Sequence, residues 1–147
     1  MSIYANEKPE YVDACLESIL GQTLLPTQIV IVEDGPITVE LKDILDKYQK
    51  SLNILRVPIE KHGGLAKALN KGLNFCDYDL IARMDADDVC ESYRFEKQYY
   101  FLEKRPEIAA LSAGLTEYNE DMTKIVKQKF LPTDHEDLIK FSKFRSP

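Results

Sequence analysis

Three carboxylates occupy positions Asp85, Asp87 and Asp88, directly after the mostly apolar run of residues 80–84. Carboxylates this close together repel one another, and removing them from water is costly unless positive charge neutralises them. The hard divalent cations Mg²⁺ and Mn²⁺, which prefer oxygen ligands, are the simplest neutralising partners. The residue types and their spacing therefore predict a metal site and a ligand that carries phosphate.

A second acidic pair, Glu33 and Asp34, ends the apolar run of residues 28–32. If both apolar runs are strands of one parallel sheet, the two acidic groups face the same crevice at the carboxyl ends of the strands. A carboxylate at Glu33 or Asp34 could then accept a hydrogen bond from a nucleobase N–H or a ribose hydroxyl. The alternatives are a polar turn at the first group, and a solvated loop in which Asp88 caps the next helix at the second.

A third segment could bind an anion. Gly63 and Gly64 allow close backbone approach, and the helix predicted after them begins with free N–H groups. Lys67 lies near the start of that helix and could reach a phosphate or a carboxylate. The alternative is a glycine turn before an amphipathic helix that carries Lys67 on its solvated face.

The elements that would position these residues alternate along the chain. Strands are predicted at residues 3–4, 28–32, 52–57 and 78–84, with helices beginning at Pro9, at Val39 and after Gly64. This alternation predicts an α/β, mostly parallel, doubly wound sheet. A helix over 92–104, strands over 108–118 and 125–130, and a short helix after residues 132–134 follow. Both ends are abrupt, which favours a fragment.

Composition excludes several classes of protein. The net charge is −6 with no basic cluster, so nucleic-acid binding is not expected. The three cysteines match no zinc spacing and are expected to be reduced thiols. A membrane-spanning segment, a signal peptide, a dinucleotide-binding fingerprint and a Walker A sequence are all absent from the sequence. We expect a cytoplasmic location, with peripheral attachment to the inner face of the plasma membrane left open.

Five segments, in order, resemble the family 2 glycosyltransferases, which have the Rossmann-like GT-A nucleotide-sugar-binding fold. The segments are residues 2–7, 16–23, 29–35, 64–72 and 82–88. The last contains Asp85-Ala86-Asp87-Asp88, similar to the family's Asp-x-Asp motif. The resemblance implies metal-dependent, inverting transfer of a sugar from a nucleotide-diphosphate donor, most often a UDP-sugar, to an acceptor hydroxyl.

The resemblance also implies roles for individual residues. On the nucleoside side, Asp34 would bind the base, Glu33 is the less certain member of its pair, and Tyr4 would help to cover the base. On the phosphate side, Asp85 would contact the ribose or the metal's water shell, and Asp87 would ligate Mn²⁺ or Mg²⁺. Lys67 and Arg83 would close the nucleotide site by charge pairing.

The resemblance leaves the general base that deprotonates the acceptor unassigned, because the family has it in a later acidic motif, expected beyond Pro147. We therefore expect residues 1–147 to be one GT-A nucleotide-sugar-binding domain, lacking the start of the first strand and the acceptor and catalytic-base part. Such a chain would bind the donor with little or no turnover. The implied acceptor of the whole protein is a saccharide or a lipid-linked saccharide, in bacterial surface polysaccharide biosynthesis.

Two other functions compete for the same residues. Residues 85–89 also resemble the first motif of haloacid dehalogenase-type phosphatases, in which Asp85 would be the phosphorylated nucleophile and Asp87 a general acid. That family needs a later lysine and a second acidic pair, for which the sequence has no convincing candidates. The other alternative is a non-catalytic nucleotide-binding module.

Overall fold

A computed structural model describes residues 1–143 of the chain. The chain divides into two compact units, Met1–Lys104 and Arg105–Pro147, and each is described by itself. The expectation that residues 1–147 form a single domain stays a prediction. The abrupt ending noted at residues 144–147 lies outside the described residues.

The first unit is a parallel sheet with helices on both faces. Its strands are paired in the order β1-β2-β3, with Ser2 opposite Val32 and Ile29 opposite Ile54. This arrangement confirms the predicted α/β class. The elements are β1 (Ser2–Ile3), α1 (Pro9–Leu20), β2 (Ile29–Asp34), α2 (Val39–Tyr48), β3 (Ile54–Ile59), α3 (Leu65–Leu73) and α4 (Arg94–Glu103).

The central strand, β2, is buried along its whole length. Because side chains alternate across a strand, Ile29 and Ile31 join the larger core cluster, which includes residues of α1 and α2. Val30 and Val32 join a smaller cluster that includes Ala68 of α3. A continuous apolar run is the pattern expected of a strand covered on both faces.

The helices begin and end where the sequence indicates. Pro9 occupies the first turn of α1, Gly21 follows its last residue, and Thr38 caps α2 by accepting a hydrogen bond from the Leu41 N–H at 3.3 Å. Gly72 of α3 allows close packing on the sheet, because a Cβ there would lie 2.9 Å from Cγ2 of Val32.

The strand predicted over residues 78–84 is wrong. This segment has no regular secondary structure, and Leu80 and Ile81 are 51% and 54% exposed. A short apolar run does not form a strand without a partner edge, and β1, at one edge of the sheet, is only two residues long. The acidic residues that follow are therefore not presented by a strand.

The second unit contains an antiparallel hairpin and a helix. The hairpin pairs β4 (Leu115–Tyr118) with β5 (Ile125–Lys129), so the strand predicted from residue 108 begins seven residues later than expected. The final helix, α5 (His135–Ser142), is capped by Asp134, whose Oδ1 accepts from the Glu136 N–H at 2.9 Å. Within the described chain, no helix is long and apolar enough to cross a membrane.

Candidate functional site

Asp34, the last residue of β2, holds the loop between β3 and α3. Its Oδ1 accepts the Gly63 N–H at 2.7 Å and its Oδ2 accepts the Gly64 N–H at 2.9 Å. The His62 Nδ1 also lies 2.9 Å from Oδ2, and the Asp34 side chain is only 3% exposed. A carboxylate has about four acceptor positions. The loop takes up most of them and leaves about one for a ligand.

Two glycines make this arrangement possible. Gly35 has φ of 88°, and a Cβ at that position would lie 2.9 Å from the His62 backbone N. Gly64, which precedes α3, has φ of 89°. Side chains other than glycine are strained in this left-handed region. The chain therefore uses glycine wherever the end of β2 and the β3–α3 loop come together.

His62 and Tyr4 form an aromatic surface beside Asp34. Their rings stack with a centroid distance of 5.5 Å and an interplanar angle of 28°. Tyr4 is 37% exposed, and the His62 side chain is 61% exposed. The family resemblance implies a role for Tyr4 and none for His62. Its position between the end of β3 and the glycine pair was the available signal.

Glu33 points away from this group. The Arg56 Nε donates to Oε1 of Glu33 at 2.5 Å, and Nη1 of the same guanidinium donates to Oδ1 of Asp46 at 2.7 Å. Since neighbouring side chains of a strand lie on opposite faces, Glu33 is on the α1–α2 face and Asp34 is on the α3 face. The structure does not bring Glu33 and Asp34 together.

Lys67 lies against the loop that Asp34 holds. It is in the first turn of α3 and is exposed, and its Cδ lies 3.3 Å from the place that a Cβ on Gly63 would take. A charged amine beside the start of a helix is well placed to pair with an anionic ligand. The structure thus groups Lys67 with Asp34, Tyr4 and His62.

We call residues 85–88 the acidic loop. Met84 and Ala86 are buried in the main core, whereas Asp87 is exposed and Asp85 is partly exposed. The Arg83 Nη2 donates to both carboxylate oxygens of Asp85, at 2.8 and 2.9 Å. The buried residues on either side of Asp85 fix the backbone while its carboxylate stays accessible.

The alternative in which Asp88 caps the next helix is wrong. Helix α4 begins at Arg94, and its N-cap residue is Tyr93. The Asp88 backbone N–H instead donates to the Asp85 carbonyl at 3.3 Å, closing a turn within the acidic loop.

The charges of the acidic loop affect one another and a neighbour. Burial, followed by the charges of Asp87 and Asp85, raises the pKa of Asp88. The same causes, in the same order, raise the pKa of Glu7. The Glu7 N–H donates to the Tyr4 carbonyl at 3.1 Å, so one turn after β1 carries both Tyr4 and Glu7. That turn therefore carries one residue of the Asp34 group, Tyr4, and one residue that senses the charge of the acidic loop, Glu7.

The acidic loop has the donor chemistry that Mg²⁺ and Mn²⁺ require, namely carboxylate oxygens in a negative field. Among the described residues, however, no three Asp, Glu, His or Cys side chains form a group that could hold a metal ion. A divalent cation at this loop would have to complete its coordination with water and ligand phosphate oxygens, as Mg²⁺ commonly does.

Open α/β sheets bind their ligands at the carboxyl ends of their strands, and here a carboxylate and two aromatic rings lie at those ends. Residues 2–145 match Glycosyl transferase family 2. This chain belongs to that family. The match also decides against the phosphatase interpretation of Asp85 and Asp87.

The similar proteins share this assignment. The chain is 40% identical to the amylovoran biosynthesis glycosyltransferase AmsE of Erwinia amylovora, over all of this chain and 54% of that protein. It is 36% identical to a UDP-Gal:alpha-D-GlcNAc-diphosphoundecaprenol beta-1,3-galactosyltransferase of Escherichia coli, over all of this chain and 53% of the relative. The chain thus spans about half the length of these curated relatives.

Among solved structures, S. aureus TarS matches with a TM-score of 0.62 and 25% identity, over 70% of this chain and 18% of TarS. A structure of TarS residues 1–349 in complex with UDP has the same TM-score with 24% identity, over 71% of this chain and 32% of that one. These likenesses confirm the GT-A fold.

Proposed function

We propose that this chain is the donor-binding part of an inverting glycosyltransferase that transfers a sugar from a UDP-sugar to an acceptor hydroxyl. Family membership supports sugar transfer, and the relatives named for amylovoran and for a diphosphoundecaprenol-linked acceptor support polysaccharide biosynthesis. The proposed acceptor is a saccharide or a lipid-linked saccharide, and the proposed location is the cytoplasm or the inner face of the plasma membrane.

One observation carries the proposal: the turn after β1 connects an aromatic and carboxylate group with an acidic loop. Tyr4 of that turn stacks on His62, and Glu7 of the same turn has its pKa raised in part by Asp85 and Asp87. A nucleoside diphosphate needs these two environments side by side. Its base is flat and bears hydrogen-bond donors, and its diphosphate is anionic and metal-binding.

On the nucleoside side, the base would lie near Tyr4 and hydrogen-bond with Asp34. The Asp34 carboxylate is already fixed by two glycine N–H groups, so it would not have to be ordered when the ligand binds. Glu33, which pairs with Arg56 on the other face, supports the end of β2 in this proposal and does not contact the base.

On the diphosphate side, Asp87 would ligate Mn²⁺ or Mg²⁺ and Asp85 would contact the ribose or the metal's water shell. The ion, when bound, neutralises charge on the leaving diphosphate. Arg83 pairs with Asp85, but its side chain is 60% exposed. It could therefore turn to a phosphate when the nucleotide binds, while Lys67 would approach from the other side.

We propose no catalytic base among the described residues. Deprotonation of the acceptor hydroxyl is assigned to the part of the whole protein that the longer relatives have in addition. The present chain should therefore bind UDP in the presence of Mn²⁺ and transfer little or no sugar. Robust glycosylation of an acceptor by this chain alone would contradict that division of labour.

The test is calorimetric titration of UDP into this chain with and without Mn²⁺, supported by thermal shift. A ligand at 100 times its Kd stabilises the folded state by about 2.7 kcal/mol, which is readily measured. Asp87→Asn should abolish the dependence of binding on Mn²⁺. Asp43→Asn, which changes an exposed carboxylate of α2, is the matched control and should bind as the unmodified chain does.

Two results would overturn the proposal. Equal UDP affinity with and without Mn²⁺ in the unmodified chain would refute metal dependence. Absence of UDP, GDP and dTDP binding under all conditions would favour a non-catalytic module that has kept only the fold.

A further inference from the structure

The end of α1 and the residue after its C-cap are joined to the segment that follows the acidic loop by a set of part-buried polar contacts. Gln22 directly follows Gly21, the C-cap residue of the helix, and is only 7% exposed. Its Nε2 donates to the Ser18 carbonyl at 3.1 Å and to the Glu91 carbonyl at 2.8 Å, and its Oε1 accepts the Phe95 N–H at 3.1 Å. Both N–H donors of the amide, and one of the two acceptor positions of its oxygen, therefore bond within the protein.

The bond to Phe95 substitutes for a helix cap. Helix α4 has Tyr93 as its N-cap residue, which makes no side-chain cap hydrogen bond. The first N–H groups of a helix have no partner within it. The amide of Gln22, just beyond α1, supplies one, and the start of α4 is thereby joined to the end of α1.

Ser18, one turn earlier on α1, makes a second connection. Its hydroxyl donates to the Cys15 carbonyl at 2.7 Å and accepts the Cys90 N–H at 3.2 Å. The Cys15 thiol also reaches the Asp85 carbonyl, at 3.5 Å. Contacts from α1 and from Gln22 thus reach the chain at residues 85, 90, 91 and 95, that is, on the acidic loop and just beyond it.

These contacts take over the role that the predicted strand would have had. Residues 78–84 have no strand partner, so the sheet does not fix the approach to the acidic loop. Paired polar groups that are partly shielded from water, by contrast, favour one arrangement because breaking them leaves groups without a partner.

We propose that Ser18 and Gln22 are positioning residues that hold the acidic loop in its metal-binding arrangement. The inference rests on the proposed function in that it assigns the metal to this loop. Neither side chain touches the metal or the nucleotide. Both act through the backbone of residues 90–95, and their loss should weaken Mn²⁺ binding more than it weakens contact with the base.

The experiment compares Gln22→Leu with Gln28→Leu by measuring UDP binding across a range of Mn²⁺ concentrations. Gln28 is the matched control, since it also makes three hydrogen bonds: Nε2 to the Phe75 carbonyl and to Oδ2 of Asp77, and Oε1 from the Asp77 N–H. It stands just before β2, at the other end of that strand from Asp34.

Gln22→Leu should raise the Mn²⁺ concentration for half-maximal UDP binding by about tenfold or more, the usual effect of losing a residue that supports a metal ligand. Affinity should recover at high Mn²⁺. Gln28→Leu should lower the melting temperature without moving the Mn²⁺ midpoint. Equal midpoints for the two variants would overturn the inference.

A second measurement does not depend on any ligand. Deuterium uptake of peptides that cover residues 84–92 should rise in Gln22→Leu and in Ser18→Ala, and should stay unchanged in Gln28→Leu. Ser18→Ala is the milder change and serves as the test if Gln22→Leu does not fold. Unchanged uptake in both Gln22→Leu and Ser18→Ala would overturn the inference. Failure of the unmodified chain to bind UDP with Mn²⁺ would instead overturn the proposed function, while the uptake comparison would still test the positioning role.

Discussion

Replacement of Asp34 by asparagine should destabilise the fold more than any other isosteric change of a carboxylate at the site. The carboxylate accepts the N–H groups of Gly63 and Gly64, one on each oxygen. An asparagine side chain has only one oxygen. In either orientation, its NH₂ group would face one of the two glycine N–H groups, donor against donor.

The size of the effect follows from these bonds. A hydrogen bond to a charged group contributes about 1.5–3 kcal/mol, and a buried N–H left without a partner costs about 1–3 kcal/mol. Asp34→Asn loses one charged bond and weakens the other. Because Asp34 is 3% exposed, water does not replace what is lost. We expect the free energy of unfolding to fall by about 3 kcal/mol.

Urea denaturation followed by circular dichroism measures this change directly, with Asp46→Asn as the control. Asp46 also accepts a bond from a neighbouring side chain, but it is 63% exposed and its loss should cost less than about 1 kcal/mol. Amide exchange at Gly63 and Gly64 should accelerate in Asp34→Asn. A loss of stability no larger than that of the control would refute the view that Asp34 holds the loop.

Three further changes test other parts of the structure. Gly35→Ala should lower the free energy of unfolding, measured by urea denaturation, by about 2 kcal/mol or more, because Gly35 has a left-handed φ and a Cβ there would lie 2.9 Å from backbone. Gly21→Ala, where the nearest atom would be at 3.5 Å, should change that free energy little. Equal losses for the two variants would contradict the argument. Burial, and then the other carboxylates of the acidic loop, raise the pKa of Asp88. The folded state therefore favours the protonated carboxyl, and the stability that this carboxyl contributes at low pH is lost as the pH rises through its pKa in the folded state. Asp88→Asn should therefore stabilise the protein at about pH 7 and have little effect at about pH 3. Asp13→Asn is the comparison: a hydrogen bond from Lys47 lowers the pKa of Asp13, so this change should destabilise the protein at about pH 7. Changes in stability of the same sign for both variants would be inconsistent with these pKa shifts. Burial raises the pKa of Cys15 to about 12, so only about one thiol in 10⁴ is ionised at pH 8. Cys15 should therefore react with thiol reagents only after unfolding, and rapid labelling of the native protein would disprove this.

The long elements of the first unit were predictable from the sequence. The apolar faces of α1 and α2 recur at helical spacing, and the run at β2 is flanked by polar residues that mark its ends. Such patterns are informative because burial of one helix face, or of both strand faces, dictates residue type over many positions.

The segment of residues 78–84 shows where such patterns fail. A run of five mostly apolar residues is compatible with a strand, but strand formation depends on a partner with unpaired backbone groups. Whether a partner edge is present is a property of the folded sheet, and no residue within the run reports it. The apolar character of Leu80 and Ile81 therefore did not predict burial.

At the candidate site, residue types were easier to predict than contacts. The structure places Asp34, Tyr4 and Lys67 around one loop, as expected of a ligand-binding group. Glu33 was assigned to the same group only because it is adjacent to Asp34 in sequence, and strand alternation separates the two. His62 was missed because stacking depends on how two distant loops meet.

The two parts of the site are held in place by different means, and this difference has a consequence for ligand binding. Asp34 is fixed at the end of a fully buried strand, and its carboxylate is bonded to two backbone N–H groups. The acidic loop follows an exposed segment, and side-chain contacts from Cys15, Ser18 and Gln22 hold the chain at that loop and just beyond it. Backbone pairing within a sheet yields only when the core opens, whereas a loop anchored by a few side chains can adjust locally. The nucleoside side should therefore be preformed, and the metal side should be the part that adjusts when a diphosphate and its cation bind.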